Sequence, residues 1–152
     1  MNKLIAVTIG DLDGIGIKLL IKEWKNLKVN KFILFTNYRL FNEKNLINNR
    51  NINIINTENE LNNFNKEKLN IFNIKSKNKN ANSFNSIKES YKYTKKGLFI
   101  GILTLPVDKN KLNKTSKNKF IDHTTFFTKL ENIKINNMFF MHNFKFFVPL
   151  TI

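Results

Sequence analysis

Short apolar runs alternate with polar stretches rich in asparagine and lysine along the chain. Runs of this length, with β-branched and aromatic residues, are typical of buried strands. They predict strands at Leu4–Ile9, Lys31–Thr36, Asn51–Ile55 and Leu98–Leu103, the last buried on both faces, and an edge strand at Ile71–Ile74. Two further strands are predicted at Asn137–His142 and Lys145–Thr151, joined by a tight turn around Asn143.

The segments between the strands carry the signals of helices. The clearest helix is Ser83–Lys96, which Asn82 or Ser83 can cap and Gly97 terminates. Its apolar face is formed at positions i, i+3 and i+7 by Phe84, Ile87 and Tyr91. Shorter helices or helical turns are predicted at Ile17–Lys25, Asn37–Asn48, within 56–69, at Lys109–Lys114 and at Thr124–Leu130. A solvated, charged loop is predicted at Lys75–Ala81.

This alternation of strands and helices determines the expected fold class. It predicts an α/β fold with a layered, mostly parallel sheet, helices on both faces and right-handed crossovers. A chain of 152 residues has the length of one domain, so we expect a single α/β segment over residues 1–152. No apolar run approaches the ~18 residues of a transmembrane helix. The first residues lack the cleavage site of a signal peptide.

The amino-acid composition limits the classes of function that this chain can have. The formal net charge of +15 and the sequence pI near 10.0 are typical of proteins that bind nucleic acid or anionic membranes. However, Arg39 and Arg50 are the only arginines, and the abundant lysine, asparagine, isoleucine and phenylalanine are the residues that A·T-rich codons produce. Arginine is the usual reader of bases and phosphates, so its scarcity argues against a dedicated nucleic-acid function, and a basic nucleic-acid-binding module is kept only as an alternative. The absence of cysteine excludes disulfides, thiolate metal sites and a catalytic thiol.

The richest group of candidate functional residues follows the run Leu98–Leu103. Pro106 cannot continue that strand, so the chain turns at the strand's carboxyl end, where open α/β sheets bind ligands. Several polar groups could converge there on one anionic substrate. They are the hydroxyls of Thr104 and Thr124, the carboxylate of Asp108, the ammonium of Lys109 and the imidazole of His123. Spacing alone leaves two interpretations of His123 open, a ligand of phosphate or carboxylate and a solvated loop histidine.

Two other groups of residues suggest less specific roles. The glycines of the loop Gly10–Gly16 fit neither a dinucleotide fingerprint nor a P-loop. They permit either a tight turn with close helix packing or a ligand role. His142 is expected to be a partly buried structural side chain. The aromatic residues near it are expected to form core or a dimer surface: Phe139, Phe140, Phe144, Phe146 and Phe147.

Three segments resemble the 4-hydroxythreonine-4-phosphate dehydrogenases, the NAD-dependent enzymes of pyridoxal phosphate synthesis. The family's segment "TAPI-x-K … FPGHTE" resembles LTLPVDKNKL followed by F-x-x-HT in this chain. The family's opening "IAVTMGDPAGIG" resembles IAVTIGDLDGIG at Ile5–Gly16, and the strand that runs into "VTxH" resembles FFVPLTI. The matches are collinear and cover both ends of the chain. Where the family has Ala, Pro, Gly and Glu, this chain has Leu105, Ile121, Asp122 and Thr125.

The resemblance implies a fold, an activity and a set of site residues. The implied fold is the amino-terminal half of an isocitrate/isopropylmalate dehydrogenase-like architecture, and therefore part of a two-domain enzyme. The implied activity is the NAD-dependent oxidation, with decarboxylation, of 4-phosphooxy-threonine in the cytoplasm. The Gly14–Gly16 turn would border the active-site cleft. The implied substrate-binding residues are Asp11, Thr104, Lys109, His123 and Thr124.

The resemblance also implies cofactors and partners. The family uses NAD and a divalent metal ion (Zn, Mg or Co), and its metal and NAD ligands lie beyond the matched segment. We therefore expect no residue of this chain to bind metal or NAD. Turnover is expected to need the rest of a homodimeric dehydrogenase or a complementing polypeptide. A truncated, non-catalytic remnant is the second alternative.

Overall fold

The computed structural model describes residues 4–26, 31–114, 120–132, 137–142 and 146–151, the last two ranges by their backbone alone. The chain divides into two compact units, Met1–Ser116 and Lys117–Ile152. Each unit has its own secondary structure.

A five-stranded, entirely parallel sheet forms the first unit. Its strands are β1 (Ile5–Thr8), β2 (Phe32–Thr36), β3 (Ile52–Ile55), β4 (Leu69–Asn73) and β5 (Gly101–Thr104). They lie in the order β3-β4-β2-β1-β5. In this register Ile5 is opposite Phe32 on one side and Gly101 on the other. Because all strands are parallel, the loops that follow them lie at one edge of the sheet.

Helices cover both faces of this sheet, as the sequence predicts. They are α1 (Ile15–Glu23), α2 (Tyr38–Asn42), α3 (Lys79–Lys95) and α4 (Lys109–Asn113), with 3-10 turns at Asn49–Asn51 and Glu58–Asn63. Successive side chains of β2 point to opposite faces of the sheet. Leu34 packs in a cluster with Ile17 of α1 and Phe41 of α2. On the opposite face Phe35 stacks on Phe72 of β4 with ring centroids 4.9 Å apart.

Two strands occupy positions that the sequence does not predict. The strand expected at Leu98–Leu103 is β5, which lies at Gly101–Thr104 on the edge of the sheet, and no residue of it is fully buried. The run expected to form an edge strand at Ile71–Ile74 is β4, which lies between β3 and β2 and is largely buried. Both predictions of position are wrong because strand order depends on long-range pairing, whereas an apolar run reports only local character.

Helix α3 differs from its prediction in its start and in its buried face. The helix begins at Lys79, where the Asn78 side chain accepts a hydrogen bond from the Ala81 amide, so part of the predicted loop Lys75–Ala81 is helical. It ends before Gly97, which has a φ of +78° as expected for a helix-terminating glycine. Of the predicted apolar face only Ile87 is buried. The other buried residues of α3 are polar: Asn82, Ser83, Ser86 and Ser90.

The boundaries of the first two helices also shift. Helix α1 begins at Ile15, where Gly14 is the N-cap, and not at Ile17. Helix α2 stops at Asn42 because the chain turns there, with Asn45 at a φ of +50°.

The second unit contains one helix and an antiparallel pair of strands. Helix α5 spans His123–Glu131, and Asp122 caps it by accepting a hydrogen bond from the Thr125 amide at 2.7 Å. Strands β6 (Asn137–His142) and β7 (Phe146–Thr151) pair antiparallel, which confirms the predicted strands. The predicted turn around Asn143, and the side chains of His142 and the neighbouring phenylalanines, lie outside the described residues.

Candidate functional site

The loops after β1 and β5 pack directly against each other at the carboxyl edge of the sheet. The Asp11 amide donates a hydrogen bond to the Pro106 carbonyl oxygen at 2.9 Å. A Cβ atom at Gly10 would lie 2.4 Å from that oxygen, and one at Gly16 would lie 2.8 Å from the Pro106 Cδ. Gly10 also has a φ of +62°, which disfavours any side chain. Close packing therefore accounts for both glycines, as in the first of the two interpretations of this loop.

An ion pair joins the β1–α1 loop to helix α4, which follows the β5 loop. The Lys111 ammonium donates a hydrogen bond to Asp11 Oδ2 at 2.8 Å and lies 3.8 Å from Asp108 Oδ2. The hydrogen bond to Asp11 raises the pKa of Lys111. Asp108 caps α4, because its Oδ1 accepts hydrogen bonds from the amides of Asn110 and Lys111. Lys111 is not among the site residues predicted from the sequence, because neighbouring lysines of one helical turn differ only in the groups that they contact in the folded protein.

A second ion-pair group lies on the β1–α1 loop. The Asp13 carboxylate accepts a hydrogen bond from Lys44 and lies 3.5 Å from the Lys79 ammonium. The hydrogen bond from Lys44 lowers the pKa of Asp13. Lys44 follows α2 and Lys79 opens α3, so one carboxylate of this loop connects segments that follow three strands of the sheet. The loop is thus held in place from both of its sides.

Buried polar side chains of α3 form hydrogen bonds with backbone groups at the start of these loops. The Ser86 hydroxyl accepts a hydrogen bond from the Ile9 amide at 2.9 Å and donates one to the Phe35 carbonyl oxygen at 2.6 Å. One turn earlier, the Ser83 hydroxyl donates to the Gly10 carbonyl oxygen. These bonds satisfy backbone groups where β1 and β2 end, which would otherwise be buried without partners.

Asn82 makes the corresponding contacts to the β2–α2 loop. Its Oδ1 accepts a hydrogen bond from the Asn37 amide at 2.7 Å, and its Nδ2 donates to the Thr36 hydroxyl at 2.9 Å. The sequence predicts for Asn82 only the role of a helix cap. Its burial inside the fold, at 0% exposure, is what identifies it as a positioning residue of the carboxyl edge.

The predicted site residues fall into the two units. In the first, Asp11 is held by Lys111, Thr104 ends β5 and is partly buried, and Lys109 begins α4 with an exposed side chain. In the second, His123 and Thr124 are the first residues of α5. The His123 ring lies edge-on to the Phe120 ring at 5.4 Å. The convergence of the two sets on one substrate stays a prediction.

Two features of the part of the chain that the structure describes bear on metal binding and on membrane insertion. In this part of the chain no three His, Asp or Glu side chains lie close enough together to hold a metal ion. The carboxylates of the carboxyl edge are instead paired with lysines or cap a helix. No described helix combines the length and apolar character needed to cross a membrane.

Comparison with protein families identifies the group to which this chain is related. The family of pyridoxal phosphate biosynthetic protein PdxA matches residues 28–151. The chain belongs to the PdxA family. No protein with a curated function matches it.

Solved structures related to the PdxA family share this fold. The 4-hydroxythreonine-4-phosphate dehydrogenase from Klebsiella pneumoniae is 20% identical, with a TM-score of 0.82 over 97% of this chain and 50% of that one. A putative 4-hydroxythreonine-4-phosphate dehydrogenase from Salmonella typhimurium gives 17% identity and a TM-score of 0.82 over 98% and 50%. The dehydrogenase from Burkholderia phymatum gives 16% and 0.71 over 92% and 47%. This PdxA-family chain therefore spans about half the length of the structures it matches.

Proposed function

We propose that this chain is the substrate-holding part of a 4-hydroxythreonine-4-phosphate dehydrogenase-like protein. In the proposed reaction the secondary alcohol of 4-phosphooxy-threonine is oxidised with NAD, and the resulting β-keto acid loses carbon dioxide. The observation that carries the proposal is the PdxA-family match over residues 28–151. The docking of the β1–α1 and β5–α4 loops at the carboxyl edge supports it, because this edge is where open α/β sheets bind ligands.

The proposed site residues supply the groups that a phosphorylated amino acid needs. Lys109 has an exposed ammonium that can pair with the phosphate as a point charge. Thr104 and Thr124 offer hydroxyl donors, and His123 offers an imidazole for phosphate or carboxylate. Asp11, oriented by its hydrogen bond from Lys111, can accept a bond from the substrate's amino or hydroxyl group.

Binding of the phosphate group is the first test of the proposal. We expect Lys109→Met to weaken binding of 4-phosphooxy-threonine, measured by titration calorimetry, by about tenfold, because a charge-assisted hydrogen bond is lost. Lys18→Met, which removes an exposed lysine from α1, is the matched control and should leave binding unchanged. Binding of 4-hydroxythreonine, which lacks the phosphate, should be insensitive to both changes. Equal losses in the two variants would show that Lys109 acts only through net charge.

In the proposal, the dehydrogenase combines this substrate-holding part with NAD and metal sites that lie elsewhere. The chain spans about half of its solved relatives, and its described residues contain no metal-binding cluster. In the proposal, the NAD and metal sites come from the remainder of a longer protein or from a complementing polypeptide, within a cytoplasmic homodimer. The metal would stabilise the negative charge that develops on the substrate oxygen.

Turnover by the isolated 152-residue polypeptide is the second test. We expect no NADH formation from 4-phosphooxy-threonine with NAD and Mg²⁺, Zn²⁺ or Co²⁺, measured by absorbance, under conditions in which the Klebsiella pneumoniae dehydrogenase is active. The reason is that substrate binding without a hydride acceptor and metal site does not lower the barrier of the chemical step. NADH formation by the unaided polypeptide would contradict the proposed division of the site.

A further inference from the structure

The neighbouring strands β2 and β4 send the chain to opposite faces of the sheet at their carboxyl ends. After β2 the chain enters α2, whose Phe41 packs on the face that carries Leu34. After β4 it enters α3, whose Tyr93 packs on the opposite face with Phe35. Open α/β sheets bind ligands between loops that diverge in this way. The carboxyl ends of β2 and β4 are therefore a candidate site in addition to the loops after β1 and β5.

Two lysines flank this point and contact one carboxylate. Lys44 lies just after α2, and Lys79 is the first residue of α3. The Lys44 ammonium donates a hydrogen bond to Asp13 Oδ1, and the Lys79 ammonium donates one to Asp13 Oδ2 at 3.5 Å. The side chains of Asp13 and Lys79 are 43% and 45% exposed, so a solute can reach this group from solvent.

The charges of this group do not balance. Each oxygen of the Asp13 carboxylate contacts one ammonium, so two positive charges share one negative charge. The nearby Asp11 carboxylate is paired with Lys111. The hydrogen bond to Asp13 raises the pKa of Lys44, which therefore stays charged at neutral pH. A phosphate group carries a charge of about −1.5 to −2 and three acceptor oxygens, so it would neutralise both lysines more fully than one carboxylate does.

Stabilisation of the fold does not account for this arrangement. Ion pairs between exposed side chains contribute little to stability. The β1–α1 loop is also held by the hydrogen bond from the Asp11 amide to the Pro106 carbonyl oxygen and by Lys111. The Asp13 carboxylate instead occupies the position in which an external anion would contact both lysines.

We propose that Lys44 and Lys79 form a binding site for a phosphate group, and that the Asp13 carboxylate occupies this site until the ligand displaces it. The ligand is inorganic phosphate or a small phosphate monoester. In the bound state the phosphate oxygens accept hydrogen bonds from both ammoniums, and the Asp13 side chain turns to solvent. None of the residues assigned to the substrate takes part, so this inference does not rest on the proposed function.

Titration of the 152-residue chain with inorganic phosphate tests the site. The amide NMR signals of Asp13, Lys44 and Lys79 would report binding here separately from any other phosphate site. We expect Lys44→Met and Lys79→Met each to weaken binding at least fivefold, because each removes a charge-assisted hydrogen bond. Asp13→Asn should strengthen binding at least threefold, because a neutral amide competes less well for the two ammoniums.

A second ion pair supplies matched controls. The Lys96 ammonium contacts the Glu58 carboxylate one to one, and the two side chains are 46% and 45% exposed. Lys96→Met and Glu58→Gln change the net charge as the site variants do, so they should leave phosphate binding within twofold of the unaltered chain. Lys109→Met should also leave binding at these signals unchanged. Preserved dispersion of the amide signals would show that each variant is folded.

Four results would overturn the inference. They are no shift of the site signals at millimolar phosphate, equal effects of Lys44→Met and Lys96→Met, unchanged affinity in Asp13→Asn, and loss of binding in Lys109→Met. The last would assign phosphate to the proposed substrate site, so the failure of this inference is distinguishable from the failure of the proposed function. A parallel titration with glycerol phosphate identifies the source. Tighter binding than that of inorganic phosphate indicates an ester ligand, and equal or weaker binding indicates free phosphate.

Discussion

Gly10→Ala is expected to lower the free energy of unfolding of the first unit by about 3 kcal/mol. About 1–2 kcal/mol comes from holding a residue with a side chain at positive φ, here +62°. A further 1–3 kcal/mol, roughly, comes from overpacking, since the new Cβ would lie 2.4 Å from the Pro106 carbonyl oxygen. Urea denaturation followed by fluorescence of Trp24, the only tryptophan, measures the change because this residue packs against the core of that unit.

Two other glycines allow the backbone and the packing contributions to this loss of stability to be measured separately. Gly97 has a φ of +78°, but a Cβ atom there would have no neighbour within 4 Å, so Gly97→Ala should cost about 1 kcal/mol from the backbone alone. Gly101 has neither a positive φ nor a close neighbour, so Gly101→Ala should change stability by less than about 0.5 kcal/mol. If Gly10→Ala were no worse than Gly97→Ala, the tight contact between the two loops would not exist.

Ser86→Ala is expected to cost about 2 kcal/mol of unfolding free energy. The hydroxyl is fully buried and serves two backbone groups, the Ile9 amide and the Phe35 carbonyl oxygen. Its removal leaves the amide buried without this acceptor, and an unsatisfied buried group costs about 1–3 kcal/mol. The same denaturation experiment measures the loss.

Ser90→Ala is the matched control for that experiment. Ser90 is equally buried on the same helix, but its hydroxyl bonds within the helix, to the Ile87 carbonyl oxygen at 2.9 Å. Alanine is the better helix former, so this change should be within about 0.5 kcal/mol of neutral. A cost of Ser90→Ala as large as that of Ser86→Ala would mean that the loss reflects a lost side-chain atom and not the link between α3 and the ends of β1 and β2.

Three kinds of contact hold the loops at the carboxyl edge of the sheet in place. The loops that carry Asp11 and the residues after Thr104 are held by the backbone contact at Pro106, the Lys111 ion pair and the hydroxyls of α3. In the proposed substrate site, loops held in this way would be pre-formed, which lowers the entropy cost of binding. The proposed phosphate-binding lysine, Lys109, lies on the same α4 turn as the lysine that fastens the loops.

The local pattern of the sequence determined the class of the fold and much of its content. The runs that became β1, β2 and β3 could be read because each is a short apolar segment bounded by polar residues. The end of α3 just before Gly97 and the antiparallel strands β6 and β7 followed from equally local signals. The family was recognisable because its motifs are contiguous in the chain, and the PdxA-family match confirms it.

Only the tertiary structure decided where the strands lie and what the polar residues of α3 do. Whether a strand is central or at an edge depends on its partners, so β4 and β5 could not be ordered from their own residues. Ser86 bonds to Ile9, 77 positions away, and Lys111 bonds to Asp11, 100 positions away. The sequence around a serine or lysine does not indicate such a distant partner, because the contact forms only when folding brings the two groups together.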